Sequence, residues 1–204
     1  MTRNGKIALV LGIIVAIVVG VLLSELVIDS TESRNPGGSS PAAASVGGPF
    51  SLVTHEGKAV TEADFRGRYM LLYFGFTFCP DVCPTELGAM SAALNLLGED
   101  GAKVTPVLIT IDPERDTPEV LARYVKLFHP RLVGLTGTAE QIAAAAKGWH
   151  VYYRKVEDET SSADYTMDHS SIVFLMGPDG EYLKLFRPMT TPEEMAATIR
   201  LYLE

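Results

Sequence analysis

Cys79 and Cys83 are the only two cysteines among the 204 residues, and they stand four positions apart in the stretch GFTFCPDVCPTEL. Two thiols at this spacing suit a structural disulfide, a redox couple, or a pair of soft ligands for a metal ion. A disulfide here would close a very short loop and would therefore stabilise the fold only weakly. The flanking Pro80, Asp81 and Pro84 indicate an exposed turn, which disfavours buried thiols that act merely as small apolar side chains. A redox couple and a metal site remain.

The position of the two thiols favours the thiolate form. Apolar residues recur at helical spacing from Leu87 to Leu97, and Pro84 and Glu86 suit a first helical turn, so a helix begins close to the cysteines. The positive end of a helix lowers the pKa of a nearby thiol. Thiolate is the form that both binds metal ions and attacks disulfides.

A metal site needs further donors, and His169 is the best placed of the four histidines. It lies in the stretch YTMDHSSIVFLM, in a predicted loop immediately before a strand. If that strand lies beside the first long strand of the sheet, its preceding loop faces the cysteine turn, and Asp168 is available to orient the imidazole. Soft Cu(I) accepts two thiolates and an imidazole, whereas a closed zinc site would need four protein ligands.

The other possible donors have plainer interpretations. His129 precedes Pro130 at a predicted helix end, where a cation suits the helix dipole, and we interpret it as structural. His55 and His150 have no supporting context. Four methionines near apolar runs are interpreted as core residues: Met167, Met176, Met189 and Met195.

Strands alternate with helices along residues 50–204, which predicts a single α/β domain with helices on both faces of a central sheet. The first long strand, YMLLYFGF, is apolar throughout, as expected of a central strand. Thr117 and Pro118 predict a helix start, and Pro106 predicts an early or edge position in its strand. The predicted strands cover 69–76, 104–111, 132–135, 171–176 and 182–186; the predicted helices cover 84–97, 118–128, 139–147 and a last one opened by Thr191 and Pro192.

The N-terminal part predicts a membrane anchor. Residues 7–23 carry no charged side chain and approach the roughly 20 residues that span a bilayer, and the positive residues Arg3 and Lys6 precede them. We expect residues 1–29 to form an uncleaved anchor, N-terminus inside, rather than a cleaved signal peptide, whose apolar core would be shorter. Residues 30–49, rich in Ser, Gly, Pro and Ala, are expected to form a flexible tether. The domain from residue 50 would then lie on the exported side.

The charge of the chain limits its partners. The formal net charge is −8, and the exported part has no cluster of Lys and Arg. Nucleic acid is therefore excluded as a partner, because its phosphates require a basic surface. Proteins and cations remain. The acidic stretch IDPERDTPE, which includes Asp112 to Asp116, is most simply a polar turn and helix cap, with partner docking or gating of the site as the alternative.

Three motifs in this order, FGFTFCPDVCPTEL, ITIDPERDTPE and DHSSIVFLMGPDG, closely resemble the Sco (SenC-type) copper chaperones of cytochrome c oxidase assembly. The resemblance covers essentially the whole exported domain. It implies a thioredoxin-like fold and one copper ion, Cu(I) or Cu(II), held by Cys79, Cys83 and His169. It further implies delivery of copper to the binuclear copper site of oxidase subunit II, or thiol reduction of that site, in an inner membrane with the domain on the periplasmic side.

Two enzymatic alternatives stay open beside the metallochaperone. A thiol-disulfide oxidoreductase usually separates its cysteines by two residues, whereas three residues separate Cys79 and Cys83. Thioredoxins also place a cis-proline where this chain reads Asp168, His169 and Ser170. A peroxidase of the peroxiredoxin kind places threonine three positions before the reactive cysteine, and here Thr77 is two before Cys79. These departures favour metal binding.

Overall fold

The computed structural model describes residues 46–157 and 164–203. The predicted anchor, 1–29, and most of the predicted tether, 30–49, lie outside these residues. Along the part of the chain that is described, no helix has the length and the apolar character that a membrane span requires.

A seven-stranded mixed sheet forms the centre of the domain, in the order β2-β1-β5-β4-β3-β8-β9. The strands β3, β4 and β5 run parallel, while the pairs β1–β2, β1–β5, β3–β8 and β8–β9 are antiparallel. The nine strands of the described residues are β1 Ser51–Thr54, β2 Ala59–Thr61, β3 Tyr69–Gly75, β4 Val104–Thr110, β5 Val133–Thr136, β6 Tyr153–Glu157, β7 Tyr165–His169, β8 Val173–Met176 and β9 Tyr182–Phe186.

The apolar run predicted as a central strand is β3. Every residue from Met70 to Gly75 is buried. Because successive side chains of a strand point to opposite faces of the sheet, both faces of β3 are covered. The neighbouring β4 carries Pro106 ahead of Val107, where pairing with β5 begins, so the expected early position of this proline is confirmed.

Four helices accompany the sheet in the described residues: α1 Val82–Leu97, α2 Pro118–Tyr124, α3 Ala139–Gly148 and α4 Pro192–Leu203. The predicted start of α2 is confirmed, since the Thr117 side chain accepts a hydrogen bond from the Val120 amide. The predicted end at 128 is too late. The α-helix ends at Tyr124, and a 3₁₀ turn, Val125–Leu127, follows it.

The strand after the histidine lies beside β3, as predicted. Tyr73 pairs with Val173 and Met70 with Met176. The start of β8 therefore lies opposite the end of β3, where the chain turns toward the cysteines. This strand was predicted to begin at residue 171, but in the structure it begins two residues later, at Val173.

Sequence patterns missed a second, two-stranded sheet, in which β6 pairs with β7. Its register places Tyr153 opposite His169 and Glu157 opposite Tyr165. His169 is thus the last residue of β7, and its predicted place in a loop is corrected. The short strands β1 and β2 were also missed.

Candidate metal centre

The cysteine turn connects β3 to α1. The amide of Cys79 contacts the carbonyl of Phe76 at 3.4 Å, which bends the chain, and α1 begins at Val82. Cys79 therefore lies before the helix and Cys83 inside its first turn. Gly75 is required here by close approach, because a Cβ at this position would lie 2.6 Å from the Tyr73 ring and 3.1 Å from the Cys83 sulfur.

The buried carboxylate of Asp116 anchors the cysteine turn through hydrogen bonds. Asp116 accepts hydrogen bonds from the Thr77 amide at 3.0 Å, the Thr77 hydroxyl at 2.5 Å and the Thr110 hydroxyl at 2.6 Å. Burial raises the pKa of Asp116, although these three donors act in the opposite direction. The stretch Asp112 to Asp116 therefore does more than cap α2, since its last residue anchors the turn that carries Cys79.

The histidine reaches the same place from the β6–β7 hairpin. After His169 the chain is tied back to the hairpin, because the amide of Ser170 donates to the Tyr152 carbonyl at 2.9 Å. The imidazole ring meets the rings of Tyr73 and Phe76 edge-on, with centroids 6.0 and 5.9 Å away. Aromatic contacts from the end of β3 thus fix the orientation of the imidazole.

His169 and Cys83 are direct neighbours. The Nε2 atom of His169 lies 3.6 Å from the Cys83 sulfur, and its Nδ1 atom lies 3.2 Å from the Ser170 carbonyl oxygen. A carbonyl oxygen only accepts hydrogen bonds, so this contact assigns the ring proton to Nδ1. Nε2 is then left without a proton, and its lone pair is available to a metal ion.

The distance between these two donors fits an ion between them. An ion bonded to sulfur at about 2.3 Å and to nitrogen at about 2.0 Å, at angles of about 109° to 120°, holds its donors about 3.5 to 3.7 Å apart. The observed 3.6 Å falls in this range. The full set is not closed around one point, however: across the described residues no three His, Cys, Asp or Glu side chains are gathered as a ready metal cluster. The three side chains must therefore rearrange before they can hold one ion.

The two thiols are free, and their surroundings shift their pKa values in opposite directions. The Cys83 thiol and the amides of Cys83 and Asp81 donate hydrogen bonds to Cys79. Together with the nearby His169 ring, and against the opposing effect of burial, they lower the pKa of Cys79 to about 4. The Cys83 amide lies 3.3 Å from that sulfur. Donation to Cys79 and burial raise the pKa of Cys83, which is fully buried. At neutral pH the pair consists of one thiolate and one thiol.

Tyr73 is a site residue that sequence reasoning missed. Its hydroxyl lies 3.6 Å from the Cys83 sulfur, and burial followed by the charge of Cys83 raises the pKa of Tyr73. A buried tyrosine hydroxyl usually has a polar partner, so Tyr73 within the apolar run YMLLYFGF was a usable signal. Asp116 and Thr77 gave no such signal, because they are 39 residues apart.

The remaining histidines lie elsewhere. The Nδ1 atoms of His55 and His129 accept hydrogen bonds from the amides of Gly134 and Arg131, and both rings line a separate cavity of about 460 Å³. Burial, followed by the charge of Arg131, lowers the pKa of His129. A positive charge on His129 is thus disfavoured, whereas its hydrogen bond with the Arg131 amide agrees with the structural interpretation. His150 is exposed at the end of α3.

The methionines divide into two groups. Met176 and Met195 are buried in the core and Met167 packs against it, as predicted. Met189 is 76% exposed, so its interpretation as a core residue is wrong. Its backbone φ of 67° is unusual for a residue with a side chain.

The chain matches known proteins along the whole of this domain. The SCO1/SenC family model matches residues 38–204. Protein SCO1 homolog 1, a mitochondrial protein of Arabidopsis thaliana, is 48% identical over 150 residues, which make up 73% of this chain and 44% of that protein. The chain thus spans less than half the length of this relative.

Two solved structures have the same fold. The crystal structure of Arabidopsis thaliana ScoI with copper bound is 44% identical, has a TM-score of 0.72, and aligns over 76% of this chain and 95% of that one. Bradyrhizobium japonicum ScoI with copper bound is 43% identical, with a TM-score of 0.71 over 77% and 99% of the two chains. These likenesses confirm the predicted α/β, thioredoxin-like fold. The family model covers both the cysteine turn and the β6–β7 hairpin that carries His169, here called the histidine hairpin. The chain belongs to the SCO1/SenC family.

Proposed function

We propose that this chain is a metallochaperone that binds one copper ion through the sulfurs of Cys79 and Cys83 and Nε2 of His169. The observation that carries the proposal is the 3.6 Å separation of Cys83 Sγ and His169 Nε2, with the ring proton at Nδ1 facing the Ser170 carbonyl oxygen. Two sulfurs and one imidazole form a soft donor set of the kind that Cu(I) prefers. The copper-bound relatives support the choice of metal.

The chain's own residues prepare the loading of copper. Cys79 is half-exposed and already a thiolate at neutral pH, so it is the first sulfur to meet the ion. Cys83 must then lose its proton, because only the thiolate is a strong ligand. The buried Tyr73 hydroxyl is placed to stabilise the new thiolate by a hydrogen bond.

The recipient that we propose is the binuclear copper site of cytochrome c oxidase subunit II, to which the domain delivers copper or whose cysteines it keeps reduced. Other copper-handling or thiol-redox proteins would be further partners. The support is the family assignment together with the three motifs. The apolar run 7–23 and its positive flank support a single-pass inner-membrane anchor that leaves the domain on the periplasmic side.

The test is a copper titration of the purified full-length protein against a Cu(I) chelator of known affinity. The wild type should bind one copper ion, and Cys79→Ala, Cys83→Ala and His169→Ala should each lose that ion to the chelator. His150→Ala is the matched control, because His150 is an exposed histidine outside the site. Wild-type stoichiometry in all three site variants would refute the proposal.

Thiol-disulfide exchange is the second candidate function, and the thiolate of Cys79 beside the thiol of Cys83 favours it. The Cys79 thiolate would attack one sulfur of a substrate disulfide and release the other as a thiolate. Cys83 would lose its proton and displace the remaining substrate sulfur. The substrate gains two electrons, and the domain is left with a Cys79–Cys83 disulfide.

Turnover separates the two candidates. With a small dithiol as the reductant, metal-free protein is mixed with a model disulfide substrate, and release of substrate thiol is followed over many equivalents. Rapid multiple turnover without copper that is lost in Cys79→Ser would favour the oxidoreductase. A single slow turnover beside tight copper binding would favour the metallochaperone.

A further inference from the structure

The two halves of the candidate site belong to different sheets. Cys79 and Cys83 follow β3 of the main sheet, whereas His169 ends β7 of the separate β6–β7 hairpin. A two-stranded hairpin is only marginally stable in water by itself. Its position must therefore come from contacts outside the hairpin, and these contacts set the distance between the imidazole and the sulfurs.

Arg115, in the loop between β4 and α2, makes such contacts on both sides. Its guanidinium carbon lies 3.7 Å from the centroid of the Tyr165 ring and 4.7 Å from that of Phe78. Phe78 is next to Cys79, and Tyr165 is the first residue of β7, four before His169. One side chain thus touches the cysteine turn and the histidine strand.

Hydrogen bonds fix the direction of this guanidinium. Nη1 of Arg115 donates to the Tyr165 carbonyl at 2.9 Å, and Nε pairs with the carboxylate of Asp112. The Tyr165 hydroxyl donates to the same carboxylate at 2.8 Å. The side chain of Arg115 is only 16% exposed, so water competes little for these contacts.

The loop that carries Arg115 is itself attached to the cysteine turn. Asp116, the next residue, receives the hydrogen bonds of Thr77. A displacement of the loop would therefore move the turn and release the hairpin together. Lys155 of β6 also contacts Tyr165, with its Nζ atom 3.8 Å from the ring centroid, and the same atom lies 2.9 Å from the carboxylate of Glu114. The Lys155–Glu114 pair is exposed, so it contributes little to holding the hairpin.

We propose that Arg115 is the positioning residue that fixes the histidine hairpin against the cysteine turn and so sets the copper affinity of the site through His169. This inference rests on the proposed copper-binding function. The planar guanidinium is needed because it meets aromatic faces and donates hydrogen bonds in fixed directions, which a lysine ammonium does not. The acidic stretch IDPERDTPE would thus support the metal site through Arg115.

The test compares Cu(I) affinity in full-length Arg115→Gln, Arg115→Lys and wild-type protein by chelator competition. Loss of a supporting contact around a metal site lowers affinity by about 10- to 100-fold, and we expect Arg115→Gln to fall in this range. Arg115→Lys should not restore the affinity. Arg154→Gln is the matched control, because this exposed arginine of the same hairpin forms a salt bridge with exposed Asp168, and it should match the wild type.

A double-mutant cycle distinguishes positioning from general loss of stability. If Arg115 acts through His169, Arg115→Gln should lower the affinity of the His169→Ala protein by less than twofold. The Cu(II) form of Arg115→Gln should also show weakened nitrogen coupling in its paramagnetic resonance spectrum. Phe78→Ala provides a second variant, because Phe78 is 56% exposed and its removal leaves the core intact; it should lower affinity in the same direction.

The outcomes separate this inference from the proposed function. Unchanged affinity in Arg115→Gln, full rescue by lysine, or an equal loss in the His169→Ala background would each overturn the role of Arg115 while copper binding stands. Failure of the wild type to bind copper, or of His169→Ala to weaken it, would overturn the proposed function itself.

Discussion

The hydroxyl of Tyr73 lies 3.6 Å from the sulfur of Cys83, at the buried end of the central strand β3. Tyr73 and Cys83 are both fully buried, so this contact is shielded from water. A hydrogen bond to a metal-binding sulfur withdraws electron density from it and tunes the potential of the bound metal. Tyr73 therefore connects the packing of the central sheet to the chemistry of the site.

Tyr73→Phe should change the properties of bound copper and leave its stoichiometry intact. Without the hydrogen bond the sulfur is a stronger donor, so the sulfur-to-Cu(II) charge-transfer band should move to longer wavelength. A hydrogen bond contributes about 1 kcal/mol net, so its loss should lower the Cu(II)/Cu(I) potential by about 40 mV. Absorption spectroscopy and a redox titration measure both effects.

Tyr124→Phe is the control for this substitution. The Tyr124 hydroxyl is buried and has no hydrogen-bond partner among the described residues. Its removal should leave the copper band in place. Identical spectra for Tyr73→Phe and wild type would contradict a role for the Tyr73 hydroxyl.

Asp116→Ala should destabilise the domain. It leaves the Thr77 amide and the hydroxyls of Thr77 and Thr110 without their shared acceptor in the interior. An unsatisfied buried polar group costs about 1 to 3 kcal/mol, so the free energy of unfolding should fall by about 3 kcal/mol. Urea denaturation of the metal-free protein measures the change.

Asp116→Asn is the informative comparison. Its amide oxygen can accept from the Thr77 amide and the Thr110 hydroxyl, while its NH₂ group donates to the Thr77 hydroxyl oxygen. The loss should therefore stay near 1 kcal/mol. Equal destabilisation by Asn and Ala would mean that the negative charge, rather than the hydrogen-bond pattern, holds the cysteine turn.

The central elements could be predicted from the sequence because their signals are local. The apolar run of β3 and the Thr117–Pro118 cap of α2 are read within a few residues. The β6–β7 hairpin was missed because its residues, such as YRKVE at 153–157, are mostly half-buried or exposed and have no continuous apolar face. Its position comes from long-range contacts through Arg115, which no local pattern encodes.

In the candidate metal site, too, some features could be predicted from the sequence and others could not. The type and spacing of Cys79 and Cys83, and the place of His169 before a strand, made these three residues candidates. Their mutual distances depend on which strands are neighbours, and this was predicted correctly for β3 and β8. The different protonation of the two thiols depends on which sulfur is buried and which accepts hydrogen bonds, and the sequence does not contain that information.

Cys79 should react with iodoacetamide well below the pH at which ordinary thiols react. The hydrogen bonds from the Cys83 thiol and nearby amides, together with the nearby His169 ring, lower the pKa of Cys79 to about 4. In reduced, metal-free protein the alkylation rate of Cys79 should rise around pH 4 and be flat above about pH 5. Buried Cys83 should stay unmodified. Mass spectrometry of quenched samples identifies the modified residue.

Cys83→Ala tests the cause of this reactivity. It removes the donor that lowers the pKa of Cys79 most, so the midpoint of the rate profile should move up toward the range of an ordinary thiol. An unchanged midpoint would assign the low pKa to the His169 ring and the amides at the helix terminus. His150→Ala should have no effect.

Glu86, on α1 one turn after Cys83, is a buried carboxyl with an incomplete set of partners. Oε1 accepts a hydrogen bond from the Met189 amide at 2.8 Å, and Oε2 is buried without a partner among the described residues. Burial raises the pKa of Glu86, and the Met189 amide opposes this only in part. The contact holds Met189 in its unusual positive-φ conformation.

Glu86→Gln should therefore gain stability relative to the wild type as the pH rises. The native state holds the Glu86 proton more tightly than the unfolded chain, so wild-type stability is full below the ordinary glutamate pKa and falls as pH rises through the native pKa. Each pKa unit corresponds to about 1.4 kcal/mol. Urea denaturation at pH 4 and pH 7 measures the free energy of unfolding of both proteins. The value for the variant minus that for the wild type should be larger at pH 7 than at pH 4. The exposed Glu99→Gln should show no such shift, and an equal difference at both pH values would contradict the assignment.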